Sequence, residues 1–256
     1  MGAAFAALAV AACVSVTPAN LPAIALIIDD LGYRPGADAA ALALPGAVTY
    51  SILPFSPQSR RIALTARASG KDVLLHLPME AGSRNHLLGP GALTAAMPQA
   101  EFVQAVRRAL ADVPDVRGVN NHMGSVLTAD LERMRWLMTT LHAAGHLLYL
   151  DSRTTPLTQA GRAAAEAGVP YLGRDVFLDN EHDATSINAQ FDQLLTLAAL
   201  HGTAIAIGHP HPTTIAVVRQ RLAALHGFVL VPLGELLARR GCQPAAALAL
   251  APAARP

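Results

Sequence analysis

Short apolar runs, many of them β-branched, recur along the chain as "AIALIID" (23–29), "AVTYSIL" (47–53), "DVLLHL" (72–77), "GVNNH" (118–122), "LLYLD" (147–151), "DVFLD" (175–179), "TAIAIGH" (203–209) and "FVLVPL" (228–233). Between most of them lie longer stretches with helical spacing. In "ADLERMRWLMTTLHAAG", Leu131, Met134, Leu137, Met138 and Leu141 fall on one stripe and Gly145 ends it. Pro57, Pro98, Pro156 and Pro212 stand where helices are expected to begin, because the fixed φ of proline suits a first turn. Strands that are apolar on both faces and alternate with helices predict a parallel sheet covered by helices. Seven or eight such units, with no visible internal repeat or linker, predict one closed or nearly closed β/α barrel over residues 22–238.

Polar residues break this pattern at one place in each unit. Asp29 and Asp30 end the first run, His76 ends the third, and Asn120, Asn121 and His122 end the fourth. Asp151 ends the fifth, Asp179 follows "VFL", and His209 and His211 close "AIAIGHPHP". In a parallel barrel all strand C-termini open onto one face, so these segments converge on one bowl. Chance accounts poorly for six such clusters.

Composition narrows the classes. Hydrophobic residues make up 52% and charged residues 14%, with a net charge of +1, and no Lys/Arg run suggests a nucleic-acid surface. Aromatic residues, at 4%, are too few for a stacking platform. Cys13 and Cys242 form neither a metal pair nor a disulfide framework. Residues 1–21 read as an apolar leader resembling a secretory signal without a positive flank, with Cys13 at a lipoprotein-like box. The leader implies export to the periplasm or cell envelope and allows peripheral membrane association. Residues 239–256 are Ala/Pro-rich and read as a flexible tail.

Asp30, His76 and His122 together offer a facial Asp-His-His set suited to Zn²⁺ or another divalent ion; otherwise they are polar rim residues satisfied by the backbone. Asp29 is either a base beside that ion or a cap of the following loop. His209, on a proline-bracketed turn, suits an acid or an electrostatic stabiliser, and His211 supports it or is structural. Asp151 orients His209, meets substrate or caps a helix near Pro156. Asn120 and Asn121 donate to sugar hydroxyls or close the strand end, and Asp179 is a further substrate candidate. Glu80 is a weak ligand candidate because Pro78 opposes a helical turn. Arg153 and Arg174 are expected in buried ion pairs with nearby Asp residues. The long segment "EAGSRNHLLGPGALTAAM" (80–97) is a candidate wall or lid.

With "IIDDLG", "LHLPME", "NNHMGS", "LDSRT", "VFLDN" and "IAIGHPHP" in this order, the chain resembles the divergent polysaccharide deacetylase family over about residues 22–238. The resemblance implies a distorted (β/α)7-type barrel shared with metal-dependent carbohydrate deacetylases. It also implies Asp29 as base, Asp30 as metal ligand and His209 as catalytic histidine. The chain departs from ordinary members, which carry two metal histidines four residues apart where this one reads His76-Leu-Pro-Met-Glu80. "NNHMGS" stands in place of an Arg-Pro-Pro-Tyr-like motif, and His122 is inferred to supply the missing histidine.

The function expected is a zinc-type hydrolase that removes an acyl group, by C–N or ester cleavage, from an envelope polysaccharide or glycan. The competing expectation is an inactive glycan-binding or envelope-organising protein on the same fold. A phosphoesterase is disfavoured by the low positive charge near the motifs. Nucleotide and serine-hydrolase readings lack their motifs.

Overall fold

The computed structural model describes residues 21–145 and 147–241, so the leader, the tail beyond Gly241 and both cysteines lie outside the described residues. The elements run β1 (Ala23–Leu31), α1 (Pro35–Leu42), β2 (Thr49–Ile52), α2 (Ser59–Ala68), β3 (Val73–Met79), α3 (Gln99–Asp112), β4 (Gly118–Met123), α4 (Leu131–Ala143) and β5 (Leu148–Asp151). They continue with α5 (Ala160–Ala167), β6 (Tyr171–Gly173), β7 (Val176–Phe177), α6 (Ala184–His201), β8 (Thr203–Gly208), α7 (Pro212–Ala223), β9 (Val229–Leu230) and α8 (Leu233–Gly241). Every apolar run of the sequence contains a strand. The addition is β6, three residues long and too short to show as a run.

Helix boundaries follow local chemistry. The Asp130 carboxylate accepts from the backbone N–H groups of Glu132 and Arg133 at the start of α4, whose buried residues include Met134, Leu137, Met138 and Leu141. Asp183 caps α6 in the same way through Ser186. Pro98 is the N-cap of α3, and Pro212 opens α7. Pro156 does not begin a helix: it sits in a turn ahead of α5, where Thr158 Oγ1 accepts from the Ala160 N–H. At the C-terminal end α8 runs through Gly241, into the stretch expected as tail, and Arg240 pairs with Asp175 at 2.7 Å. Among the described residues no helix is long and apolar enough to cross a membrane.

All strand pairs are parallel, in the order β6-β5-β4-β3-β2-β1-β8-β7, and β9 joins the start of β1. The outer members, β6 and β7, are consecutive in the chain, separated only by Arg174 and Asp175. The Arg174 N–H donates to the Asp151 carbonyl beside β6, and the Asp175 N–H donates to Ile205 of β8. One interrupted strand therefore passes from one sheet edge to the other and draws the sheet into a curl. Counted that way, the fold is a distorted (β/α)7-type barrel with a seam at residues 174–175. Arg174 does not form the expected Asp pair there. Its guanidinium donates to the carbonyls of Ser152 and Arg153 and lies 3.6 Å from the centre of the Phe177 ring.

Strand alternation sorts the core into two parts. Ile24, Leu26, Ile28, Leu75, Leu77 and Tyr149 pack outward against the helices. Ala23, Ala25, Ile27, Leu74, Leu150 and Ile205 form a smaller inner cluster, which Leu233 and Leu236 of α8 join. The inner stripe matters for function, because its continuation at the strand C-termini is polar.

Candidate active site

Inner-facing positions recur every second residue, so Ile27 is followed on the same side by Asp29, Leu74 by His76, and Ile207 by His209. In the β3–β4 register His76 lies opposite Asn120 and Pro78 opposite His122, which puts Asn120 and His122 on the same side as His76. Asn121 falls on the other side. It is buried, with its amide oxygen accepting from Tyr149 Oη and the Ser152 N–H and its nitrogen donating to the Met123 carbonyl. The parity that sends it there makes it a tie between β4 and β5 with no open face for a sugar.

Asp30 breaks the alternation. The β1–β2 register shifts between Ile28 and Leu31, and Asp30 has φ 60°, a left-handed conformation uncommon for a side chain with a Cβ. This bulge turns two adjacent carboxylates toward one place. Gly32, just beyond, has φ 134°, and a Cβ there would fall 2.0 Å from Ser56 Oγ. Phe55 and Arg153, which follow β2 and β5, and Met123, the last residue of β4, also have positive φ, so backbone strain gathers at the mouth of the barrel.

Three ligand-type atoms form a small triangle. His76 Nε2 is 3.1 Å from Asp30 Oδ1, His122 Nδ1 is 2.9 Å from the same oxygen, and the two ring nitrogens are 3.2 Å apart. Four ligands placed tetrahedrally about 2.05 Å from a zinc ion are about 3.3 Å from one another, so the triangle is close to one face of such a site. Asp30 Oδ1 is buried and has no hydrogen-bond partner despite these short approaches. A buried acceptor left unpaired is costly, and a shared cation is what the donor set accommodates. The residues present fit a divalent ion. Glu80 is not in the triangle: its carboxylate accepts from the Ala95 N–H and pins the 80–97 segment to the end of β3.

Asp29 is almost fully buried beside this triangle, with Oδ2 3.6 Å from His76 Nε2. Burial pushes its carboxyl up from the ordinary range, while His76, His209 and the Asn120 amide pull it back only in part. Burial likewise disfavours the charge on Asp30, but His122 and His76 outweigh it and hold that carboxyl well below the usual range. Asn120 is completely buried: its Nδ2 donates to both Asp29 oxygens, at 2.9 and 3.1 Å, and its oxygen faces His76 Nδ1 at 2.9 Å and accepts from Ser51. No part of it is open to a sugar hydroxyl.

On the β7–β8 side, Asp179 accepts the His209 backbone N–H at 2.7 Å, His209 Nδ1 at 2.9 Å and Thr214 Oγ1 at 2.8 Å. Burial opposes the imidazolium, but Asp179, Asp30 and Asp29 raise His209 to about 9. Asp179 is thus the partner that orients His209. Asp151 is not: it lies on the outer face of β5, bonded to the Arg153 N–H, Thr158 and Tyr171. His211 stands at the rim with its ring 4.3 Å from that of His182, and burial, helped by His182 and His209, outweighs the pull of Asp179 and leaves it below the ordinary histidine value. Phe177, which the sequence did not single out, stacks between Arg174 and the His209 ring, the latter 6.2 Å away. Its signal was its inner parity, one turn of alternation before Asp179.

A family model described as divergent polysaccharide deacetylase matches residues 26–237. An uncharacterized protein of Haemophilus influenzae is 41% identical over 214 residues, covering 83% of this chain and 76% of the relative. The uncharacterized protein YibQ of Escherichia coli is 42% identical over 197 residues, covering 77% of this chain and 61% of YibQ, less than two thirds of its length. Among solved structures, uncharacterized protein ATU2773 from Agrobacterium tumefaciens C58 superposes with a TM-score of 0.81 at 26% identity, over 87% of this chain and 92% of that one. A structure described as T48 deacetylase with substrate gives a TM-score of 0.50 at 15% identity, over 88% and 95% of the two chains, a likeness of fold.

Proposed function

The chain belongs to the divergent polysaccharide deacetylase family, and from that premise we propose that it is a metal-dependent hydrolase that removes an acyl group from an envelope polysaccharide or glycan. The observation that carries the reading is the Asp30–His76–His122 triangle with a buried carboxylate, Asp29, on one side and an Asp179-oriented imidazole, His209, in the same bowl.

Asp30, His76 and His122 would hold the ion, with zinc the best match to two imidazoles and one carboxylate. When bound, a divalent ion supplies Lewis-acid polarisation of the acyl carbonyl and of water, and a positive charge that favours ionised Asp29. Asp29 then accepts the proton lost by the attacking water. His209 Nδ1 is taken by Asp179, so Nε2 is the nitrogen available to give a proton to the departing amine or hydroxyl. Its raised value keeps that proton in place at neutral pH. His211 and Phe177 line the same rim and would meet the part of the substrate beyond the acyl group.

We place this reaction in the periplasm or cell envelope, the compartment that the leader expected at residues 1–21 implies. The test is release of acyl groups from N- and O-acylated glycans by zinc-loaded protein. Release by the wild type, and release slower by about 100-fold or more by the Asp29→Asn protein, is expected. Equal release by both would end the proposal.

A further inference from the structure

One buried amide touches both the residue proposed as base and a residue proposed as metal ligand. Asn120 has no exposed surface, and three neighbours approach it from fixed sides: Asp29 through both oxygens, His76 through Nδ1, and Ser51 through its hydroxyl. An Asp29 that serves as base is a carboxylate, and that fixes the arrangement of the amide. An ionised carboxylate only accepts, so the amide nitrogen faces Asp29. The amide oxygen is then the atom facing His76 and Ser51, and an oxygen there requires a proton on His76 Nδ1. With a proton held on Nδ1, Nε2 is the nitrogen left to take an ion, and it is the atom 3.1 Å from Asp30 Oδ1 and 3.2 Å from His122 Nδ1.

We infer that Asn120, locked by Ser51, is a positioning residue with two separable tasks: its oxygen holds a proton on His76 Nδ1 and so leaves Nε2 to the ion, and its nitrogen aims the Asp29 carboxylate. The inference rests on the function proposed above. It explains why a neutral side chain is completely buried among ionisable groups, where a leucine of similar size would leave Asp29 and His76 Nδ1 unpaired. It also explains the β3–β4 register, which sets Asn120 directly opposite His76.

The two tasks come apart in the Asn120→Asp variant. A carboxylate still accepts from His76 Nδ1, as carboxylates commonly do behind metal-bound histidines, but toward Asp29 it either repels or shares a proton, and in both cases Asp29 is spoiled as a base. The experiment combines ¹⁵N-histidine NMR of the metal-free protein, zinc titration by calorimetry, and turnover on an acylated glycan. In the wild type, His76 Nδ1 is expected to carry a proton, with or without a second proton on Nε2 beside the Asp30 carboxylate. Asn120→Asp is expected to keep that Nδ1 proton and to bind zinc at least as tightly, while turnover falls about 100-fold. Asn120→Leu is expected to lose the tautomer preference and to bind zinc about 10–100-fold more weakly. Ser51→Ala, a smaller change, is expected to give mixed tautomers, and it decides the matter if Asn120→Leu does not fold.

An Nε2–H tautomer in the wild type would overturn the inference. So would unchanged tautomer and zinc affinity in both Asn120→Leu and Ser51→Ala, or zinc affinity and turnover falling in step in Asn120→Asp. Absence of turnover by the wild type on every acylated glycan would end the hydrolase proposal instead, and the tautomer and zinc measurements would still decide the tautomer task of Asn120.

Discussion

Asp29 and Asp30 are neighbours in the chain, yet both carboxylates approach the same atom, His76 Nε2, at 3.6 and 3.1 Å. A regular strand would send them to opposite faces. The left-handed backbone at Asp30 and the register shift beside it bring them together, and the strain is local to the site.

That strain makes a prediction about stability. At φ 60° glycine pays no Cβ penalty, whereas alanine pays about 1 kcal/mol. In the metal-free protein, Asp30→Gly should be more stable than Asp30→Ala by about that amount in urea unfolding. Equal midpoints for the two would show that the left-handed turn is not held in solution.

Zinc content is the direct test of the triangle. Mass spectrometry on the purified protein should find close to one equivalent. Asp30→Ala and His122→Ala should each lose most of it, and His142→Ala, on the exposed side of α4, should retain it. The same occupancy in all three variants would remove the site as drawn.

Replacing Asp29 with Asn keeps shape and the nearby triangle but removes the proton acceptor. Turnover should fall about 10²–10⁴-fold with zinc content unchanged and glycan binding retained. A protein whose only role is to bind a glycan would have no turnover to lose and would bind equally well in both forms, which is how the competing reading would be recognised.

The His209–Asp179 pair makes stability depend on pH. His209 sits at about 9 in the folded protein against 6.5 for the free side chain, so its contribution is complete below pH 6.5 and disappears as pH rises through 9. Asp179 is held below its ordinary 3.8 despite burial, chiefly by His209, so its contribution is present above that value and is lost in stronger acid. The metal-free wild type should therefore exceed His209→Asn most between about pH 4 and 6.5, by at most about 3 kcal/mol, with the gap narrowing toward pH 9. A gap in thermal midpoint that stays constant across that range would contradict the ion pair.

Much of this architecture was legible from residue pattern. The apolar runs mark the strands, and polar residues at their ends mark the mouth. Period-two alternation, applied strictly, also separates Asn120 from Asn121 and Asp179 from Asp151, because only the first of each pair shares parity with the inner stripe. Pairing is what the pattern does not contain. The opposition of His76 to Asn120, the contact of Asn120 with Asp29 and the left-handed turn at Asp30 depend on register and on a bulge, which arise when strands meet. The short β6 escaped for a related reason: three residues held by β5 and by the following turn need no apolar run of their own.

The passage of one strand across residues 174–175 has a consequence for how the protein keeps to itself. An open sheet ends in two rows of unpaired backbone groups, each able to recruit a strand from another molecule. Here the N–H of Arg174 bonds the end of β5, and the N–H and carboxylate of Asp175 bond Ile205 of β8, so neighbouring residues tie the two ends of the sheet to one another. A cut at that short bridge would leave β6 held by β5 alone and β7 held by β8 alone, and a strand lost from either place would open a border to which a second molecule could add a strand of its own.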